Sequence, residues 1–162
     1  FGVGNEHKLI SAEEGDGMIC AYSYFEEIDS AANKDFVARF KARLGDDAPA
    51  LNELAARSYE AAYLWAEAVK SAGTTDRMPV IEALRSGIGF DGPSGRVDIE
   101  PRTNHCNQNV YLAELNDQSF NIVESYESQP PTDTLMVCDL VADPNQSVFK
   151  FENGLKAAGI DI

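Results

Sequence analysis

The sequence predicts a mixed α/β fold, and three observations carry that prediction. The apolar and aromatic run "GMICAYSYF" at 17–25, opened by Gly15 and Gly17, reads as a buried strand that ends in a polar and aromatic loop. Apolar residues then recur at helical spacing through "EEIDSAANKDFVARFKARLG" and again through 51–72. Three extended pieces follow at 96–99, 109–115 and 119–126. The last two are separated only by Asn116, Asp117 and Gln118, as in a hairpin with a polar turn.

In the first helical stretch, Asp29 or Ser30 can cap the free amides. Phe36, Phe40 and Leu44 share one face, and Gly45 sits where a left-handed terminal residue belongs. Residues 46–49 make a break. The strongest helix is 51–72, with Leu54, Ala55, Ser58, Ala62, Trp65, Ala66 and Val69 on the stripe expected inside. Glu53, Arg57, Glu60, Glu67 and Lys70 gather on another stripe. Its middle, "YEAAYLWAEAV", has so few polar positions that it needs cover on most sides. Gly73 ends it. A third helix starts at Asp76, tolerates Pro79 in its first turn, points Ile81 and Leu84 inward and closes at Gly87.

"FDGPSGRVDIE" at 90–100 is expected to lead the chain from that helix into a strand by a tight turn at the surface. Gly92 and Gly95 supply backbone angles that other residues resist, and Pro93 fixes one dihedral. It is not a phosphate-cradling loop, because no lysine follows and no helix starts there. After Pro130-Pro131, "TLMVCDL" reads as another strand, and the acidic tail holds at most a weak helical turn near 154–158.

Composition narrows the function. A length of 162 residues with 44% hydrophobic content suits one ordinary globular domain. Thirteen basic against 27 acidic residues leave a formal charge of −14, which repels phosphate backbones and anionic lipid and makes nucleic acid a poor partner. No apolar run approaches the roughly 20 residues that span a bilayer. The chain begins at Phe1 without methionine, a charged leader or an apolar leader segment, and the expectation is that its beginning is cut. Cys20, Cys106 and Cys138 show no CxxC spacing and no ligand cluster beyond His105, so no metal is expected; one disulfide or three buried thiols both fit. His105 and Cys106 are adjacent in extended chain, point to opposite faces and cannot share a proton. No GxSxG, HExxH or convincing carboxylate pair appears, so no catalytic residue and no cofactor is assigned.

The order "YFEEIDSAANKDFVARFKARLG", then "SYEAAYLWAEAVKSAG", then "VIEALRSGIGFDGPSGRVDIEPRTNH" and a hairpin resembles the C-terminal part of the type I periplasmic binding proteins. It is most similar to the branch that binds amides, urea and branched-chain amino acids. The similarity runs from about residue 15 to about residue 139; each motif alone is common, and their order carries the specificity. The resemblance implies two lobes, each a sheet flanked by helices, joined by hinge crossings with the ligand held between them. The chain is well under half the family's usual length, which implies a C-terminal fragment that needs a missing N-terminal segment of the same protein. On that pattern, 1–48 is part of the second lobe, 49–118 returns to the first, and 119–162 crosses the hinge back to the second.

The same resemblance implies the site. "GVGNE" is similar to the loop that presents a carboxylate to an amino-acid ligand's ammonium group, which points to Glu6. "AYSYF" is similar to another wall of the cleft, which points to Tyr22, Ser23 and Tyr24; Arg57 and Ser58 would reach the ligand from the opposite lobe. The plainer alternatives are a solvated Glu6, packing tyrosines, and an Arg57 paired with Glu53 or Glu60 along the helix. The implied function is non-catalytic binding of a small polar solute, delivered to an ABC-type permease from the periplasm. A cytoplasmic amide sensor of the same fold is the alternative, and an amide hydrolase a distant third. Tyrosines and serine favour an amide or urea, whereas Glu6 in contact favours an amino acid.

Overall fold

The computed structural model describes residues 5–45 and 47–146. The expected helical turn near 154–158, residues 2–4 of "GVGNE" and Asp46 of the expected break lie outside the described residues.

A long hairpin forms the spine, with β4 (Cys106–Asn116) antiparallel to β5 (Ser119–Gln129) from Gln108↔Gln129 to Asn116↔Ser119. Asp117 and Gln118 turn the corner at φ 46° and 59°. Such a pair of left-handed residues follows the natural twist of a two-residue hairpin loop, as the polar turn residues predict. The other edge of β4 is shared between two short strands. β1 (Ile19–Tyr22) pairs with residues 111–114, and β3 (Gly95–Ile99) pairs with residues 106–107 at the far end. β2 (Gly89–Gly92) then pairs with β3. One strand therefore ties together two sheet pieces that, among the described residues, pair only with it and not with each other.

Ser30, Gly45 and Gly73 cap their helices as expected, whereas Ser11 and Asn52 cap helix starts that the sequence reading does not mark. A short α1 (Ala12–Gly15) opens on a capping box of Ser11 and Glu14. In α2 (Ala31–Leu44), the Ser30 side chain accepts from the Asn33 amide at 3.1 Å. In α3 (Glu53–Ala72), Asn52 accepts from Ala55, and Gly73 ends the helix in the left-handed conformation at φ 67°. α4 (Arg77–Arg85) follows Asp76 as expected.

Two clusters are buried. The larger joins Tyr24, Phe25, Ile28, Phe36, Leu51, Ala56, Tyr111, Ala113, Leu115 and Phe120. The smaller contains Ala68, Val80 and Ala83, with Leu84, Val69 and Ile88 against it.

Four expectations need correction. The inward face of α3 is Ala56, Glu60, Leu64 and Ala68, whereas Leu54 and Trp65 are 59% and 52% exposed. The helix turns a carboxylate inward because buried donors await it, which apolar spacing cannot reveal. The strand at 17–25 shrinks to 19–22, and it is half exposed because β4 is its only strand partner among the described residues. "TLMVCDL" is not a strand: α5 (Thr132–Leu135) and further turns occupy it, with the Leu140 amide bonded to the Arg102 carbonyl at 2.6 Å. A short apolar run has no period that separates strand from turn. Finally, the turn at 92–95 joins β2 to β3 rather than a helix to a strand, and Pro93 and Ser94 are buried, not superficial.

Candidate functional site

The loop leaving β1 has two sides, and α2 fixes it from below. Tyr24 is 2% exposed, and its hydroxyl donates to Asn33 Oδ1 at 2.9 Å. The Asn33 amide in turn donates to the carbonyls of Glu26 and Ile28 at 2.8 and 2.9 Å. One buried asparagine thus satisfies the loop's inward polar groups, which would otherwise be costly to bury.

On one side, Ser23 faces the start of α3. Arg57 Nε donates to Ser23 Oγ and Nη2 to the Ser23 carbonyl, both at 2.8 Å. Arg57 Nη1 donates to Glu60 Oε2 at 2.7 Å. The Ser23 amide donates to Glu53 Oε1 at 2.7 Å, and its hydroxyl also bonds that oxygen. Glu60 is 1% exposed and accepts from the Ser94 amide at 2.9 Å and its hydroxyl at 2.6 Å.

On the other side, Tyr22, Tyr24 and Phe25 line a cavity of about 270 Å³ with His7, Lys8, Glu26, Glu27, Lys41, residues 50–53 and Phe120. Glu26 is held by Lys41 at 2.6 Å and by the Leu51 amide; Glu27 accepts from Ser119 and the Phe120 amide. The His7 ring lies 4.7 Å from Phe120. Burial, then Lys8, lowers the His7 pKa against the pull of Glu27, Glu6 and Glu26. Burial, with Cys20, Glu53 and Glu6 nearby, raises the Tyr22 phenol above its ordinary range. Burial, with Glu26, Glu27 and Glu60, raises Tyr24 further. Both rings are neutral at pH 7.

The six residues singled out from the sequence therefore separate. Ser23 and Arg57 meet directly. Tyr22 and Tyr24 reach the cavity, although Tyr24 has committed its hydroxyl to Asn33. Glu6 lies exposed in a 3-10 turn, Glu6–Lys8, close enough for its charge to act on Tyr22 and His7. Ser58 is exposed and bonds back to the Leu54 carbonyl at 2.8 Å within its own helix. The sequence alternative that pairs Arg57 with Glu53 or Glu60 holds for Glu60, whereas sequence reasoning missed the bonds of Glu60 to Ser94 and of Glu53 to Ser23, and Asn33 altogether. The available signal was the four-residue repeat Ala56, Glu60, Leu64, Ala68, with an arginine one turn before the carboxylate. The three cysteines are free; burial raises the Cys106 and Cys20 thiols, and the His105 Nδ1 sits 3.0 Å from the Thr103 carbonyl. No helix among the described residues is long and apolar enough to cross a membrane.

The chain is similar to known proteins. The chain is 30% identical over 131 residues to a Geobacillus stearothermophilus protein named limonene hydroxylase, covering 80% of this chain and 24% of that one. It is 27% identical over 104 residues to Leu/Ile/Val-binding protein homolog 6 of Brucella abortus, covering 64% of this chain and 26% of the relative. A solved solute-binding protein of an ABC transporter from Rhodopseudomonas palustris HaA2, in complex with p-hydroxybenzoic acid, superposes with a TM-score of 0.61 at 31% identity. That match covers 73% of this chain and 33% of that one. The chain thus spans about a quarter of the curated relatives and a third of the solved structure. The model of the periplasmic binding protein family matches residues 2–119, and the chain belongs to that family, in its type I branch.

Proposed function

We propose that this chain is part of a two-lobed solute-binding component of an ABC-type uptake system, working in the periplasm and holding its ligand in an inter-lobe cleft without chemistry. One observation carries the reading: the loop after β1 faces a polar-aromatic cavity on one side and is gripped by the start of α3 on the other. In this reading residues 1–48 belong to one lobe and 49–118 to the other, with residues from 119 on crossing back. Tyr22, Ser23, Tyr24 and Arg57 border the cleft, Glu6 stands at its rim, and Ser58 lies beside it. The permease and the rest of the protein are the partners.

The ligand is a small polar metabolite. The sequence resemblance favours amides, urea and branched-chain amino acids, and the Brucella relative's name agrees with the last. The Rhodopseudomonas structure holds an aromatic acid, so a compact molecule bearing a carboxylate fits both. Thermal-shift measurements on the full-length protein with L-leucine, 4-hydroxybenzoate, acetamide and urea test this. A ligand at about 100 times its Kd should add roughly 2.7 kcal/mol to stability. No shift with any of the four would overturn the solute-binding reading for these classes. Turnover of acetamide, urea or limonene by the purified protein would overturn the non-catalytic reading.

A further inference from the structure

The charged groups that wall the cavity beside the β1 loop are engaged with the protein itself. Glu26 is held by Lys41 at 2.6 Å and by the Leu51 amide, Glu27 by the Ser119 hydroxyl at 3.0 Å and the Phe120 amide at 3.2 Å, and Glu53 by Ser23. Lys8 Nζ donates to the Gln118 carbonyl at 2.5 Å. His7 differs. Its ring lines the cavity 4.7 Å from Phe120, and among the described residues neither ring nitrogen makes a hydrogen bond. The ring is nonetheless placed, because its turn is pinned at both ends: Asn5 Nδ2 donates to the Ala50 carbonyl at 3.0 Å, and Lys8 reaches the hairpin corner.

The surroundings set what can meet that ring. Glu6 and Lys8 flank it on its own turn, and Glu26 and Glu27 face it from the β1 loop. Lys41 of α2 and Glu53 of α3 line the same cavity, and β5 presents the apolar ring of Phe120. These carboxylates outnumber the two lysines, so the space beside His7 disfavours an anion and favours an N–H or O–H donor. Burial, then Lys8, holds the imidazole below its usual pKa and therefore neutral at pH 7, with one nitrogen able to accept.

We propose that His7 is a specificity-determining contact of the solute, accepting a hydrogen bond from a ligand N–H or O–H, so that binding weakens when His7 is protonated. The proposal rests on the reading above that this cavity belongs to the ligand cleft. It adds which end of the solute enters: an ammonium, an amide nitrogen or a phenol hydroxyl, and not a carboxylate. The protonated ring has no acceptor to offer and sets a positive charge against an ammonium. Ligand and proton therefore oppose each other, each weakening the other by the same factor.

Calorimetric titration of the full-length protein with L-leucine, 4-hydroxybenzoate and acetamide from pH 8 to pH 5.5, where the probes hold their charge, tests it. With the ordinary imidazole value of about 6.5 as the upper bound, whichever probe the wild type takes should bind about 2- to 10-fold more weakly at pH 5.5 than at pH 8. His7→Phe, which keeps a ring against Phe120, should bind it about 3- to 10-fold more weakly at pH 8 and show no pH slope. In proton NMR the His7 ring signal, identified by its loss in His7→Phe or His7→Gln, should titrate at lower pH with saturating probe than without. Binding that ignores pH or tightens in acid overturns the proposal, and so does a slope that persists in His7→Phe. If His7→Phe does not fold, the wild-type slope and the ring titration decide, and a ring that titrates unchanged or higher with probe overturns the proposal. A wild-type protein that takes none of the probes fails the solute reading and the proposal together, whereas binding without the slope fails the proposal alone.

Discussion

Around α2, large rings fill the interior: Tyr24 and Phe36 meet edge to face at 6.4 Å, and Phe25 lies 4.9 Å from Phe120. Between α3 and α4 the buried cluster is Ala68, Val80 and Ala83, and beside it runs an apolar groove of about 320 Å³ lined by Leu64, half-exposed Trp65, Leu84, Val97 and Ile99. The first region holds by volume, with Asn33 closing its few polar needs. The second holds by close approach of small residues and by a buried carboxylate whose partners are an arginine and a turn. Loss of shape should damage the first most, and loss of charge balance the second.

The largest effect is expected from Phe36→Ala, which empties the aromatic region and should cost about 4 kcal/mol in urea unfolding of the full-length protein. A loss below about 1 kcal/mol would mean that the rings are not what holds this half. Next comes Arg57→Ala, which leaves Glu60 buried without its cation and should cost about 3 kcal/mol. The double variant Arg57→Ala/Glu60→Gln, which removes the anion but keeps an acceptor for Ser94, should recover part of that loss, which would separate charge from packing. Gly92→Ala follows at about 1–3 kcal/mol, because its Cβ would lie 2.6 Å from Glu60 Oε1 and 2.7 Å from Glu60 Cγ.

A smaller effect concerns acid. Burial lowers the His7 pKa in the folded protein, so the unfolded chain binds more protons below about pH 6.5 and stability falls as pH drops through that range. His7→Phe, which keeps a ring against Phe120, should flatten that slope in unfolding midpoints taken from pH 8 to pH 5. The smallest effect is expected from Leu54→Ser on the exposed face of α3, within about 0.5 kcal/mol in the same urea unfolding of the full-length protein. A loss several times larger would show that the outer face of α3 is covered.

Much of the fold was legible because its signals are local. Ser30, Gly45 and Gly73 bound their helices as read, and the Asn116–Ser119 corner turns where polar residues with left-handed angles predict it. The family resemblance rested on the order of such motifs. Of the candidate site, the Ser23 loop and Arg57 were legible through that resemblance. Asn33 was not, since a polar residue in the first turn of a helix ordinarily faces water. Nor was β2, whose "GFDG" carries little strand propensity and is held by its pairing with β3.

The sequence by itself determined where α2, α3 and α4 lie, how tightly the hairpin turns and that the chain is strongly acidic, because each depends on residues a few positions apart or on composition alone. Only the tertiary structure decided which face of α3 is inside and what Ser23 touches. Glu60 finds its donors at Ser94 and Ser23 finds its partner at Arg57, each 34 residues away. A charged group can be buried only where such partners converge, and no local pattern records that convergence.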